Sequence, residues 1–598
     1  MNIDAITLEI ISNGLKSIAD ETYIALMKSA YSTNIKERHD HSTAVIDPAG
    51  RLIVQAENSL AIHLGSMMGL MSTLLARMPL GEVREGDVFI ANDPYVAGGS
   101  HLPDVNMAMP VFAEGKLVCF MCNIAHHADI GGITPGSMAG GTEIYQEGTR
   151  IPVIRLFRAG ELQSDILDLL LLNARVPEER RGDYFAQVAA CRLGVRRIGE
   201  MIAARGVPLL TSAFDDIIRR TRERLLEALR RIPPGEYTFE DVMDDDGAGT
   251  TNIPIRLRVT VPPHGGNRKV LFDFTGTARQ VKGNINSTVT VTLAGVLYSL
   301  KALLDPDVPN NQGLIELVDI NAPLGTLINS RFPAAVAARA NTAQRIVDVV
   351  IGALAPAIPE AAVAAANGAN TTAVFFGHDP RHDRHYVYLE TLGGGFGGRY
   401  AKDGKDGVQV HITNTSNLPV ESIEMESPLL VESYGFVPDS GGAGKHRGGL
   451  GLRRVVRPVG HTMTFSGQGE RFANRPWGLF GGASGGTGRF VKLSGAAEVP
   501  LPTKPANLEV TPAEAVMVET PGAGGYGAPQ ERAAEAVASD FASGKFSRDY
   551  LKQHYGFDPA EAPVARVGAQ RKPGTPSRAT GPGSSNRATQ QSDRAEQS

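Results

Sequence analysis

Between Asn92 and Gly132 the chain gathers five residues able to bind a metal or move a proton: His101, Asp104, His126, His127 and Asp129. The whole protein has only 14 histidines, so three within this stretch are a local concentration. The segment reads NDPYVAGGSHLPDVNMAMPVF followed by AEGKLVCFMCNIAHHADIGG. Gly98, Gly99, Gly131 and Gly132 let the backbone turn sharply around the polar residues. Two apolar runs, Val105–Phe112 and Leu117–Ile124, flank Ala-Glu-Gly-Lys, which predicts a β-hairpin returning the His126 end to the His101 end. Two imidazoles and a carboxylate at strand ends suit a divalent ion with open positions for water or substrate. The same residues also suit polar loops and hairpin caps, because no short ligand motif such as HExxH is present.

The elements that would position them come from either side. Leu8, Ile11, Leu15, Ile18, Tyr23 and Met27 recur at three-to-five-residue steps, predicting an amphipathic helix over 5–30. It leads into Asn34-Ile35-Lys36-Glu37-Arg38-His39-Asp40-His41-Ser42, rich in ionisable groups. Such a run is usually solvated. Wedged between an apolar helix and a predicted hairpin (43–47 with 51–56), part of it is expected to be buried and partnered. A second helix opens at Leu60-Ala61-Ile62-His63-Leu64-Gly65-Ser66. After the central stretch, a polar loop over 141–152 carries Glu143, Glu147 and Arg150, and residues 164–232 are strongly helical.

Pro233-Pro234-Gly235 is the clearest break. The expected class is α+β. An N-terminal α+β region with a metal site and a helical segment spans 1–232. A β-rich, Gly-rich α+β region follows at 233–528, then a helical segment at 529–562. The 563–598 tail has almost nothing apolar and is expected to be disordered. Helices are expected at 287–305 and 341–357. The second starts with Asn341, Thr342, Gln344 and Arg345, which either cap it or hold an anion. Asp244-Asp245-Asp246-Gly247 lacks EF-hand spacing and reads as a hairpin tip. TLGGGFGGR at 391–399 contains a formal GxGxxG, but loop rather than helix follows, so a mobile glycine-rich loop near a site is expected instead of a dinucleotide fold.

Composition excludes other classes. With 598 residues, 42% hydrophobic and 21% charged, the chain reads as ordinary globular protein. A net charge of −5 gives no basic surplus for nucleic acid or anionic membrane. No apolar run approaches a membrane span and Met1–Ile11 is no signal peptide. Three cysteines fit a reducing cytoplasm. Cys119 and Cys122 form a CxxC, but on a strand they face opposite sides and are expected to be core. No GxxxxGK[ST] is present.

Eight stretches, in order over 5–527, resemble the hydantoinase B/5-oxoprolinase family. They are Ile35-Lys36-Glu37-Arg38 with Asp40, AIHLGS at 61–66, NDPYVAGGSHLPD, AHHADIGG, FDFTGTA with GNIN, GGGFGGR, DGKDGVQVHITNTSNLPVESIE and PDSGGAGKHRGG. The resemblance implies one subunit of an ATP-dependent enzyme that opens cyclic amides (hydantoins, 5-oxoproline, lactams) or carboxylates ketones. It implies a separate hydantoinase A-like, actin-like-fold subunit that binds ATP and phosphorylates the substrate oxygen. It also implies a divalent metal (Mn, Zn or Fe) on His101, Asp104 and His126, with Asp40 as a fourth ligand. His63, His127 or Asp129 would act as general base or orient a ligand. Phosphorylation makes the amide carbon electrophilic, and water acidified by a metal is then a suitable nucleophile. Three readings follow: cyclic amidohydrolase subunit, which needs only one partner; ketone carboxylase subunit; and non-catalytic scaffold subunit.

Overall fold

The first apolar stripe forms helix α1 (Ala5–Ser29), capped by the Asp4 carboxylate, which accepts the N–H groups of Ile6 and Thr7. A computed structural model describes residues 3–263, 269–368 and 370–558. The 563–598 tail lies outside the described residues. A short helix α2 (Thr33–Lys36) follows α1, then strands β1 (His41–Ile46) and β2 (Leu52–Gln55) and helix α3 (His63–Arg77). Strands β3 (Val88–Ala91), β4 (Asp104–Ala113), β5 (Lys116–His126), β6 (Ile154–Arg158) and β7 (Glu161–Leu162) complete a seven-stranded sheet. Its order is β2-β1-β5-β4-β3-β6-β7, with every pair antiparallel. The expected central hairpin is β4–β5. It closes through Glu114 and Gly115, both in the left-handed region (φ 51° and 72°), as a two-residue hairpin turn requires.

Strand alternation sorts the sheet into two faces. Val45, Ile53, Cys119 and Met121 point to one side, against α1 and the long helices α5 (Pro177–Arg205) and α6 (Val207–Leu229), which follow α4 (Ser164–Leu172). Ala44, Ile46, Phe120, Cys122 and Ile124 point to the other side, against α3. Cys119 and Cys122 thus belong to different cores, both as free buried thiols, as the strand period demands.

Strands β8 (Gly235–Asp245), β9 (Thr251–Val261), β10 (Val270–Asp273) and β11 (Val318–Asn321) form a four-stranded sheet, with helices α7 (Val289–Leu304), α8 (Gln312–Ile315) and α9 (Arg339–Leu354). Helix α9 is buried along its whole length. It packs with α3, α7 and the inner faces of both sheets in one core, so residues on either side of Pro233 share apolar packing. The Asp244–Gly247 cluster lies where β8 turns into β9, a hairpin tip as expected.

Strands β12 (Thr371–Asp379) and β13 (Arg384–Leu392) precede a short helix α10 (Val420–Glu426). Strands β14 (Leu429–Phe436), β15 (Leu452–Pro458), β16 (Met463–Gln468), β17 (Arg489–Ser494), β18 (Ala497–Pro500), β19 (Leu508–Val510) and β20 (Glu514–Glu519) complete two further sheets. Helices α11 (Ala534–Ala542) and α12 (Arg548–Tyr555) dock through Val537 and Leu551 onto Leu450.

The glycine-rich stretch after β13 differs from the mobile loop expected of it. It is largely buried, and its backbone bonds to Pro521, Lys405 and Gly524. A Cβ at Gly397 would stand 1.8 Å from the Ala364 carbonyl oxygen, so close backbone contact, not mobility, requires glycine there.

Candidate metal centre

Three neighbouring strands deliver one residue each to the same end of the same sheet face. Asp104 on β4 lies directly opposite His126 on β5. The backbone N–H of His126 donates to the Asp40 carbonyl (3.0 Å), one residue before β1. Asp40, Asp104 and His126 share the face carrying Ala44, Ala108 and Cys122, by the two-residue period. The loop before β4 brings His101, the start of α3 brings His63 and the start of α9 brings Arg339. The loop is held by Asn92, whose Nδ2 donates to the carbonyls of Leu102 (2.7 Å) and Thr149 (2.9 Å). At Gly98 (φ +71°) a Cβ would meet the Gly69 backbone of α3 at 2.3 Å, so this glycine lets the loop lie against the helix.

His101, Asp104 and His126 each offer a ligand atom within 4.8 Å of the others, and all three are buried. Nδ1 of His101 is 2.8 Å from the Ala337 carbonyl. A carbonyl only accepts, so Nδ1 carries the proton and Nε2 presents a lone pair. Asp104 Oδ2 accepts from Ser100 Oγ and Arg339 Nη2, each at 2.5 Å. Its Oδ1 makes no hydrogen bond and faces His101 Nε2, also unbonded, at 3.1 Å. Burial, then the Arg339 charge, push the His101 pKa down. Burial works against the Asp104 anion, while the Arg339 guanidinium and the Ser100 hydroxyl on Oδ2 favour it. A neutral imidazole lone pair therefore points at a carboxylate lone pair in a buried site. The two repel unless a cation lies between them. The donor set, two imidazoles and a carboxylate, fits Mn, Zn or Fe better than Mg.

His126 is oriented by a relay. Arg38 Nη1 donates to Asn34 Oδ1 (2.6 Å), which turns the Asn34 amide N–H2 toward the His126 carbonyl (3.3 Å) and Nδ1 (2.9 Å). With Nδ1 bonded to Asn34, only Nε2 is left to face an ion, and binding one there requires the ring proton on Nδ1 and the Asn34 amide turned to present its oxygen. Burial, then His101, hold its pKa well below normal. His63 Nε2 is unbonded and 3.7 Å from both Asp40 Oδ1 and Asp104 Oδ1, while its Nδ1 is 2.9 Å from Ser42 Oγ. Asp40 stands beside Arg38 at 3.9 Å and outside the tight trio. Burial raises its pKa, with Arg38 opposing.

The structure does not bring His127 and Asp129 to this cluster. His127 follows the last residue of β5 and turns to the other face. Its Nε2 is 3.0 Å from Gln187 Oε1 and its ring lies 4.6 Å from Tyr184. Asp129 accepts from the backbone N–H of Gly136 and from Arg175, whose Nη1 is 2.8 Å away, and fixes the loop. Sequence reasoning missed Arg339 and Ser100. No local signal marks either: Arg339 sits 235 residues beyond its partner Asp104.

The chain matches the hydantoinase B/oxoprolinase family over residues 4–529. It is 33% identical to the putative D-/L-hydantoinase B subunit of Pseudomonas sp. strain NS671, over 93% of this chain and 95% of that one. It is 32% identical to the caprolactamase beta subunit of Pseudomonas jessenii, over 93% and 96%. The crystal structure of the ATP-dependent caprolactamase of that organism superposes with a TM-score of 0.87, at 29% identity over 93% of this chain and 97% of that chain. Nucleotide-free acetone carboxylase superposes with a TM-score of 0.84, at 20% identity over 92% and 79%, a likeness of fold alone. With the family match running from the first helix past the last sheet, this chain belongs to the hydantoinase B/oxoprolinase family.

Proposed function

We propose that the chain is the metal-bearing subunit of an ATP-dependent cyclic amide hydrolase, opening a hydantoin, 5-oxoproline or lactam ring. It would work in the cytoplasm with a hydantoinase A-like subunit that binds ATP and phosphorylates the substrate oxygen. The observation carrying this reading is the pair of unbonded lone pairs, His101 Nε2 and Asp104 Oδ1, facing each other at 3.1 Å in a buried site. The relatives' names, as B and beta subunits, support the partner.

A divalent ion held by His101, Asp104 and His126, with Asp40 beside them, supplies Lewis acidity that polarises oxygen and acidifies water. The protein does the rest. Arg339 and Ser100 fix the Asp104 carboxylate. Ala337 fixes the His101 tautomer, and Asn34 with Arg38 fixes His126. His63 is the base of this reading: Ser42 holds its Nδ1, and its Nε2, between two carboxylates, can take the proton of an attacking water. The site's residues are buried, which limits access of bulk water to an activated substrate.

The test measures ATP consumed and product formed by the chain alone, the partner alone and the pair. Turnover coupled to ATP is expected only from the pair. ATP-independent ring opening by this chain alone overturns the reading. A bicarbonate requirement assigns the chain to ketone carboxylation instead, the reading that shares acetone carboxylase's fold.

A further inference from the structure

Beside the metal centre lies a cavity of about 30 Å³. His63, His126, Arg339 and the Asp40 carboxylate line it together with Asn341, Asn370 and Thr391. Asn341 is 2% exposed, and its Nδ2 makes no hydrogen bond. A buried amide N–H2 without an acceptor is costly unless a ligand supplies one. Asn370 Oδ1 already accepts from Gln344 Nε2 (3.1 Å) and Thr413 Oγ1 (3.0 Å), so that side chain has only N–H donors to offer. Thr391 Oγ1 accepts from Arg38 Nη2 (2.6 Å) and lies 3.4 Å from Thr415 Oγ1, where either hydroxyl can donate.

The cavity also sits at the N-terminal end of α9, a 16-residue helix whose dipole favours negative charge there. Arg339 N and Asn341 N already bond the Val336 and Ala338 carbonyls. The helix therefore contributes its field, and the side chains contribute the donors. Arg38 and Arg339 balance Asp40 and Asp104 in formal charge, so a divalent ion would leave the site net positive.

We propose that this cavity is an oxyanion subsite, in which Asn341 Nδ2, at the head of α9, receives an oxygen of a phosphoryl or carboxylate group on the reactant. The proposal rests on the metal-centre reading above and adds the group that faces the metal. It accounts for the buried Asn341 amide N–H2 that finds no acceptor within the chain.

The full-length chain, loaded with Mn²⁺, is titrated with inorganic phosphate and, separately, with acetate, by calorimetry. Metal content and melting temperature are recorded for every sample. Wild type should bind one of the two anions only when metal is present. Asn341→Ala should weaken that binding at least about tenfold, the loss of one hydrogen bond to a charged group. Asn341→Asp, nearly isosteric, should abolish it, and both variants should keep their metal. Phosphate preference assigns the phosphoryl group, and acetate preference assigns the carboxylate. Equal anion affinity in wild type and both variants overturns the subsite, since the anion then sits on the metal alone. Metal retained with no anion response also overturns it and leaves the metal centre standing. A wild type that holds no metal refutes the centre and the subsite together.

Discussion

Two buried charge clusters lie within this core, and they are finished differently. In the first, Asp241 accepts from Arg471 Nη2 (2.7 Å) and Trp477 Nε1 (3.0 Å). Asp348 takes the same Arg471 Nη2 (2.7 Å) and faces His411 Nε2 at 3.1 Å. Glu470 meets Lys504 (3.0 Å), Arg345 (3.4 Å) and the N–H of Asp244 (2.9 Å). Every carboxylate there has cationic or N–H partners. In the second, at His101, Asp104 and His63, the atoms aimed inward have none. Buried charge normally demands a partner. The carboxylates of the first cluster find their partners within the chain, leaving only the Nε–H groups of Arg345 and Arg471 unbonded, and tie β8, α9 and the glycine-rich region together. The second leaves inward-facing atoms unbonded, and on the proposed reading that contrast separates scaffold from site.

The sharpest way to break the contrast is His101→Ala. Metal per chain should fall from about one toward zero, and turnover of the complex should drop at least about 10²-fold. Unchanged metal content by elemental analysis would remove His101 from the centre. Asp348→Ala should do the reverse. It leaves Arg471 with one carboxylate fewer in a fully buried site, costing about 3–5 kcal/mol, read as a denaturant midpoint. Metal content per folded chain should hold. A third outcome links stability to the ion: chelation should lower the wild-type melting temperature, by an amount equivalent to about 2.7 kcal/mol where the ion was at a hundred times its Kd. The His101→Ala protein should not respond.

Much of this was legible in the sequence because it is local. The β4–β5 hairpin, the CxxC split between two cores and the burial of part of the 34–42 run all follow from strand period and from apolar flanks. Asn34, Arg38, His41 and Ser42 are each at most 1% exposed. What could not be read is what distant chain segments supply. Arg339 and Ala337 reach the centre from α9 and the loop before it, through a core that spans Pro233; Asn341 is marked in the sequence as a cap or anion holder, but not as a neighbour of this centre. The GxGxxG stretch could be rejected as a nucleotide loop from its context. Its role in backbone packing against Ala364 and Gly524 needed the fold. Helix α10 is too short to stand out from the irregular β pattern around it.

The adjacent histidines give the finest test, because one-residue parity alone assigns them opposite roles. Burial, then the Arg180 charge, lower the His127 pKa to about 4, against about 6.5 in an unfolded chain. Between those values the unfolded state holds the extra proton. Stability therefore rises with pH across that window and is lost as pH falls from about 6.5 to about 4. Its size is bounded by the shift, roughly 3 kcal/mol at the acid end. His127→Leu keeps apolar contact with Tyr184 and removes the titration, though Gln187 Oε1 loses its partner at a cost of about 1–3 kcal/mol. The variant should be somewhat less stable at neutral pH, with a flatter stability profile below pH 6.5, unchanged metal content and turnover of the complex within about twofold. His126→Leu, one residue away, should lose metal and turnover together. Denaturant melts across pH and metal analysis of the two variants decide it. Loss of metal from His127→Leu would mean that the face assignment, and the centre built on it, is wrong.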